Sequence, residues 1–460
     1  MQKEPLKFPP SPQHQHWLLG NLLDFRRNHN SIPYLQEKQK ELGDIHWIRL
    51  PFGHRLFAIT RPDYIKHVLQ DNNKNYTKGI AYNALRPLLG NGLLTSEGDF
   101  WRKQRRLAQP AFHKNRLESL TQTMIKATLE LIEGWEAQYT EDQSINVSRE
   151  MNHLALLVVS SALFKSDVKA EMDLIGEHLG ILIEGAAHDI QYPLLAKIRL
   201  PTSYNRRRRK ALEALHQLIT GIIEKRRKDP QSYDDLLDML LKARDEETGE
   251  GMDDQQLKDE VMTIFMAGHE TTANALTYAW LLLARHPEVA QKMHAEIAEK
   301  LGSEAPQLEN IRELRYTRMV IDETLRLYPP AWTVSRRSIE ADQIDGYYIP
   351  PRTNILMSTY VVHRLPELWE QPDVFWPERF ETQKVKNLPR YAYFPFGGGP
   401  RLCIGDQFAL LEMQVALALI SQRYSLQEQR PNHLQPLPLI TLRPKDHVFL
   451  QLEKRKVNVH

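Results

Sequence analysis

The sequence predicts a mainly α fold with a small β portion, built as a single domain over residues 1–460. Three observations predict it. Apolar residues recur at three- and four-residue spacing from about Asp63 to about Leu327, the period of helices that bury one face. Short β-rich runs lie toward both ends of the chain, at about 43–60, 343–359 and 438–453. No linker, repeat or low-complexity tract separates these parts.

Taken in order, the first residues are proline-punctuated, and the runs DIHWIRL and HRLFAIT follow. Pro51, Phe52 and Gly53 join them, so a hairpin is predicted. Within the helical stretch, Asp253–Asp254 starts a long helix that stops before Pro287. Its 32 or so residues would span roughly 48 Å, the width of a domain. IDGYYIPPRTNILMST returns to strand character, and a proline-rich stretch leads on to a cysteine. Residues 404–424 form another apolar helix, and LITLRPKDHVFLQLEKR closes the chain as a hairpin. The first and last segments are expected to pair.

Composition narrows the function. Hydrophobic residues make up 42% of the chain, too many for a disordered protein. The formal net charge of +2 gives no global pull toward nucleic acid. One cysteine excludes a disulfide framework and a cysteine-rich zinc site, and fits a reducing cytoplasm. The N-terminus lacks the apolar core of a signal peptide, and NALTYAWLLLA (Asn274–Ala284) is too short to cross a bilayer.

That cysteine, Cys403, ends the stretch FPFGGGPRLCIG. Glycines allow positive φ and close approach of backbone to a ligand. A helix starting just after the cysteine favours a thiolate through its N–H groups and dipole. Arg401 adds a charge able to hold an anion nearby. A thiolate, a flat close approach and an anion anchor together suggest a haem with an axial cysteine, whereas an inert buried thiol would need none of them.

A second element, AGHETT (Ala267–Thr272), lies inside the long helix. Gly268 in mid-helix costs about 1 kcal/mol relative to alanine, and the spot is read as a place where the backbone opens slightly. Thr271 brings a hydroxyl and Glu270 a carboxyl, the parts of a proton relay. ETLR (Glu323–Arg326) and PERF (Pro377–Phe380) are bland alone, the first an ordinary i,i+3 ion pair. WRKQR sets the donors Trp101 and Arg105 one helical turn apart.

In this order the elements resemble the cytochrome P-450 superfamily, from Trp101 to Gly405. Phe396, Gly399, Arg401, Cys403 and Gly405 match F-x-x-G-x-R-x-C-x-G, and AGHETT matches A-G-x-[DE]-T-[ST]. The resemblance implies a P-450 fold whose long central helix lies over haem b, iron protoporphyrin IX. It implies Cys403 as the iron's thiolate ligand, with Phe396, Gly399 and Gly405 beside it. Arg401, Trp101, Arg105 and Arg336 would hold propionates, although Arg337 could replace Arg336. Thr271 and Glu270 would be catalytic, with Ala267 near the haem face. Glu323, Arg326 and Arg379 would form a structural charge triad, and Leu94, Ala267, Ala331, Trp332 and Thr333 would approach the substrate.

The implied activity is a monooxygenase using O2 as cosubstrate to hydroxylate a C–H bond of a large hydrophobic molecule. Some segments resemble a soluble bacterial β-carotene ring hydroxylase, which favours a carotenoid or terpenoid. The alternative is a long-chain fatty-acid hydroxylase. Thr271 argues against a peroxide-using isomerase or peroxygenase, and a non-catalytic haem-binding protein is the remaining class. Electrons are expected from a separate ferredoxin- or flavodoxin-type donor with an NAD(P)H reductase, docking on Arg102, Lys103 and Arg106. RRRRK (Arg206–Lys210) suggests transient contact with an anionic membrane surface. A cytoplasmic monomer is expected.

Overall fold

The structure is a computed structural model that describes residues 7–25, 30–51, 54–113, 116–140, 143–165, 172–191, 202–229, 231–302 and 306–455. Its main elements run, in chain order, α1 (Ile32–Leu42), β1 (Ile45–Arg49), β2 (Arg55–Ile59), β3 (Tyr76–Lys78), α2 (Gly98–Ala108), α3 (Leu117–Gln138), β4 (Ser144–Asn146) and α4 (Val147–Phe164). There follow α5 (Met172–Gln191), α6 (Ser203–Lys228), α7 (Asp254–Arg285), α8 (Arg315–Leu327), β5 (Val334–Ser338), β6 (Asn354–Met357), α9 (Asp406–Arg423), β7 (Tyr424–Gln427) and β8 (Phe449–Lys454). No helix among the described residues is long and apolar enough to cross a membrane.

The chain forms two compact units. The first contains Met1–Tyr82, Asp322–Cys403 and Pro436–Arg443. It holds a five-stranded sheet in the order β1-β2-β6-β5-β3. The predicted hairpin is present, β1 pairing antiparallel with β2 from Ile45↔Ile59 to Arg49↔Arg55. The Phe52–Gly53 turn lies outside the described residues. β2 pairs parallel with β6, and β5 pairs antiparallel with both β6 and β3. IDGYYI forms a small hairpin in which Ile344 faces Tyr347, and Asp345 (φ 48°) and Gly346 (φ 78°) make its two-residue turn. Phe57, Ile59, Ile65, Ile355 and Met357, each at most 0–2% exposed, form part of this unit's core.

The second unit contains Asn83–Ile321, Ile404–Gln435 and Pro444–His460. α7 is its axis. Asp253 caps it by accepting from the Gln256 N–H at 2.8 Å, and nearly every side chain from Leu257 to Leu283 is buried. α4 and α9 pack against α7. Among the described residues, the chain's tail does not pair with the first strands. β8 pairs instead with β7 and β4 (Leu452↔Leu426, Leu450↔Ile145), where Ile145, Leu426, Leu450 and Leu452 supply a buried face.

Candidate functional site

In the first unit, the glycine-rich loop closes through three short backbone bonds. Gly397 N–H donates to Phe394 O (2.9 Å), Leu402 N–H to Gly399 O (3.1 Å) and Cys403 N–H to Phe396 O (3.1 Å). Cys403 ends the loop exposed, an unusual state for a free cysteine. The glycines divide into two kinds. Gly397 (φ 73°) has nothing within 4 Å of where a Cβ would stand. A Cβ on Gly399 (φ 65°) would lie 1.8 Å from the Leu69 carbonyl oxygen, and one on Gly398 would lie 2.3 Å from the Tyr391 ring. So Gly398 and Gly399 are demanded by this protein's own neighbours, whereas only Gly397 leaves open space. Gly405 meets just Phe112, at an ordinary 3.9 Å.

Behind the loop, the structure brings Glu323, Arg326 and Arg379 together, each at most 2% exposed. Arg326 Nε and Nη2 donate to the Glu323 carboxylate at 2.7 and 2.8 Å, and Arg379 Nε donates to it at 3.0 Å. The remaining guanidinium donors hold backbone: Arg326 takes His363 O, Pro372 O and Val374 O, while Arg379 takes Glu370 O, Gln371 O and Val374 O. Sequence reasoning missed His363. It is fully buried, its Nε2 accepts the Phe394 N–H at 3.0 Å, and burial with Arg326 and Arg364 nearby pushes it down to about 3. A lone histidine in HRLPELW carries no sequence signal for that role.

Two other expected residues sit differently from one another. Arg336 is 6% exposed on β5, and among the described residues it meets no carboxylate, only the Ser335 carbonyl at 3.0 Å. Arg337 is less buried and donates to Arg352 O at 3.2 Å. A buried guanidinium without a counter-charge suits an anion, which favours Arg336 over Arg337. Trp332, expected near substrate, is in the core of this unit with its indole N–H on Leu439 O at 3.0 Å. Its neighbours alternate, so burying Trp332 leaves Ala331 exposed and Thr333 half-buried.

In the second unit, AGHETT occupies the middle of α7, and the helix runs through it unbroken. The expected opening at Gly268 is absent for a packing reason: a Cβ there would come within 3.0 Å of Val159 on α4. Glycine lets two helices approach. Each neighbour in the motif has its own partner. His269, pushed down to about 4 by burial, bonds the Asn152 backbone; Thr272 donates to Glu412 on α9, whose burial raises it well above the usual carboxylate range. Glu270 is 7% exposed. Ala267 and Thr271, one turn apart, form the open face of an otherwise buried helix, Ala267 being exposed and Thr271 half-buried. Thr271 Oγ1 donates to Ala267 O at 2.6 Å.

Trp101 (9% exposed) and half-buried Arg105 lie one turn apart on α2. The three cations beside them are not a free basic face. Arg102 pairs with Asp99, Lys103 with Glu250 at 2.6 Å, and Arg106 with Asp245 and Glu247, both at 2.9 Å. Lys103 and Arg106 fasten the 245–250 segment to α2, while the Arg102 pair lies within the helix. The RRRRK cluster is likewise engaged: Arg207 pairs with Glu177, Arg208 grips Asp189 with two bonds at 2.7 and 3.0 Å, and Arg209 faces Glu213. A polar cavity of about 850 Å3, lined in part by Gln104, Arg226 and Lys242, includes neither Leu94 nor Thr271.

The family model described as Cytochrome P450 matches residues 9–450. The chain belongs to the cytochrome P-450 family. It is a haem-thiolate monooxygenase by that membership, and the fold agrees. A solved structure titled "Crystal structure of cytochrome P450DA heme domain" superposes with a TM-score of 0.88 at 27% identity, over 98% of each chain. Cyclooctat-9-en-7-ol 5-monooxygenase of Streptomyces melanosporofaciens is 37% identical over 87% of this chain and 84% of that protein. The ultra-long-chain fatty acid omega-hydroxylase of Homo sapiens is 31% identical over 96% of this chain and 88% of its own. The residues of this P-450 fit the haem the family carries. An exposed sole cysteine is a donor for iron, Gly397 leaves room beside it, and Arg336 is a buried cation suited to a propionate.

Proposed function

We propose that this P-450 hydroxylates a large apolar molecule, a terpenoid or carotenoid, in the cytoplasm with electrons from a separate ferredoxin- or flavodoxin-type donor. The observation that carries the reading is the open face made by Ala267 and Thr271 on a helix buried almost everywhere else. It presents a hydroxyl amid apolar side chains, without a charged residue to clamp a substrate carboxylate. The name of the Streptomyces relative supports the substrate class, since cyclooctat-9-en-7-ol is a cyclic alkenol with one polar group. Coverage of nearly the whole chain by the human omega-hydroxylase favours long-chain fatty acids as the second reading.

Haem b would be held by Cys403 on iron, by Arg401, Arg336, Trp101 and Arg105 on propionates, and along Phe396, Gly397 and Ala267. When bound, the haem supplies dioxygen activation, and the protein supplies position, protons and dryness. Thr271 Oγ1 holds its proton on the Ala267 carbonyl at rest and can turn it outward on the open face. Glu270, one residue earlier, is the nearest carboxyl in sequence for resupplying that proton. Glu323, Arg326 and Arg379 fix the backbone from which the Cys403 loop springs.

The test is a spectral titration of freshly purified protein. A red-shifted reduced carbon monoxide band is expected, together with low-spin to high-spin shifts for polycyclic alkenols and carotenoids. Absence of the band refutes the thiolate haem. Shifts confined to long-chain fatty acids move the substrate to the second reading.

A further inference from the structure

Two adjacent carboxylates near the start of α7 have no part in the chemistry assigned above. Asp259 is 8% exposed and Glu260 fully buried. Both are spent on the backbone of the loop that precedes α2. Asp259 Oδ2 accepts the Asn91 N–H at 2.7 Å, and Glu260 Oε2 accepts the Leu93 N–H at 2.9 Å. The other Glu260 oxygen, Oε1, is buried without a partner. The loop is shaped to reach them. A Cβ on Gly90 (φ 54°) would stand 2.2 Å from the Asp259 carboxylate, and one on Gly92 would stand 2.2 Å from Thr263 Oγ1. Thr95 closes the loop from its far end by donating to Gly90 O at 2.8 Å.

Helical phase gives this clamp its meaning. Glu260, Ala267 and Thr271 are spaced by seven and then four residues, so they share one face of α7. The clamp sits about two turns, roughly 10 Å, from Ala267 along the helix. The loop it holds carries half-buried Leu93 and Leu94. Burying two acids is costly unless they secure something, and a neutral residue could have packed here.

We propose that Asp259 and Glu260 are positioning residues that set substrate-size selectivity, seating the Gly90–Ser96 loop as the wall at one end of the open Ala267–Thr271 face. The proposal rests on the reading of that face as the substrate side of the haem. The charged group acting on Glu260 is Asp259 beside it; Lys258 of the same helix and Asp259 act in turn on His216 of α6, whose ring bonds the Leu88 backbone. Burial, with the Asp259 charge adding to it, pushes Glu260 up to about 8, so Glu260 is neutral at pH 7 and ionises in mild alkali. An ionised carboxylate draws water, which unseats the loop.

The holoenzyme is titrated with imidazole, a small iron ligand, and with 4-phenylimidazole, a bulky one, and amide exchange is followed in the 88–96 segment. E260A is expected to lose about tenfold in affinity for 4-phenylimidazole with imidazole changed less than about twofold, a discrimination of the size one buried contact gives. E260Q keeps the acceptor for Leu93 and is expected to match the wild type at pH 7. Between pH 7 and 9 the wild type loses affinity for the bulky ligand several-fold while E260Q stays flat. An unchanged ligand ratio in E260A, or parallel pH profiles for wild type and E260Q, overturns the proposal. Should E260A fail to fold, the E260Q profile decides alone. A wild type lacking the red-shifted carbon monoxide band defeats the haem reading, whereas faster Leu93 exchange in E260A than in E260Q still registers the clamp.

Discussion

Replacing His363 by glutamine separates a hydrogen bond from a charge. In the fold the imidazole is neutral, since it is fully buried, accepts the Phe394 N–H on Nε2 and lies near two guanidinium groups. Its value of about 3 is below the 6.5 of a free histidine, so the unfolded chain binds a proton that the folded chain refuses. Stability from this residue is therefore full above about pH 6.5 and is lost as pH falls toward 3. At pH 5 the two values give a loss of about 2 kcal/mol relative to pH 8. Glutamine retains an acceptor for Phe394 and cannot be protonated. Guanidinium unfolding followed by tryptophan fluorescence, with Trp369 centred 6.5 Å from the His363 ring, should show the wild type falling by about 2 kcal/mol more than H363Q between pH 8 and 5. Equal slopes for the two proteins would refute the buried neutral imidazole.

Four further outcomes are expected. Gly399→Ala should destabilise strongly because the new Cβ meets the Leu69 carbonyl, whereas Gly397→Ala should cost about 1 kcal/mol for its φ alone; thermal unfolding compares them. Glu323→Gln leaves two buried guanidinium groups short of a counter-charge and should cost about 3–5 kcal/mol, read by denaturant titration and haem content. Thr271→Ala should keep oxygen consumption while product falls by about 100-fold, measured as product formed per oxygen consumed. Glu260→Gln should gain stability as pH rises, because the raised carboxyl of the wild type opposes ionisation between about pH 4.5 and 8. The gain is about 1 kcal/mol at pH 5 and about 3 kcal/mol at pH 7, from the same denaturant titration at both values.

What was legible in the sequence was what depends on near neighbours along the chain. The long helix showed itself through Asp253–Asp254 and its apolar period, and the β1–β2 hairpin through two short runs about a turn. The Cys403 loop showed itself through five fixed positions. What was not legible depends on partners far away. Lys103 and Arg106 read as a basic face because Glu250 and Asp245 lie some 140 residues on. The bond from the Trp332 indole to Leu439 O could not be read, because nothing local shows Leu439 receiving it. Gly268 read as a helix weak spot, yet Val159 on α4 is what requires it. A residue type states a capacity, and only the fold supplies the group that uses it.

The buried acidic and basic side chains follow one rule in both units. Ion pairs in an interior stabilise weakly at best, since desolvation offsets attraction. Arg326 and Arg379 nevertheless place six donors' worth of bonds on carbonyls between His363 and Val374, a stretch too irregular to satisfy its own backbone. In the second unit Asp259 and Glu260 do the converse, taking N–H groups from a loop that forms no sheet or helix. Guanidinium serves stranded carbonyls and the acid side chains serve stranded amides. A loop held this way keeps one shape without the mass of a sheet, which suits segments proposed to end at an iron ligand or a substrate wall. Replacing either set by apolar groups of equal volume could raise stability, but it would leave those carbonyls and amides unbound and the loops unplaced.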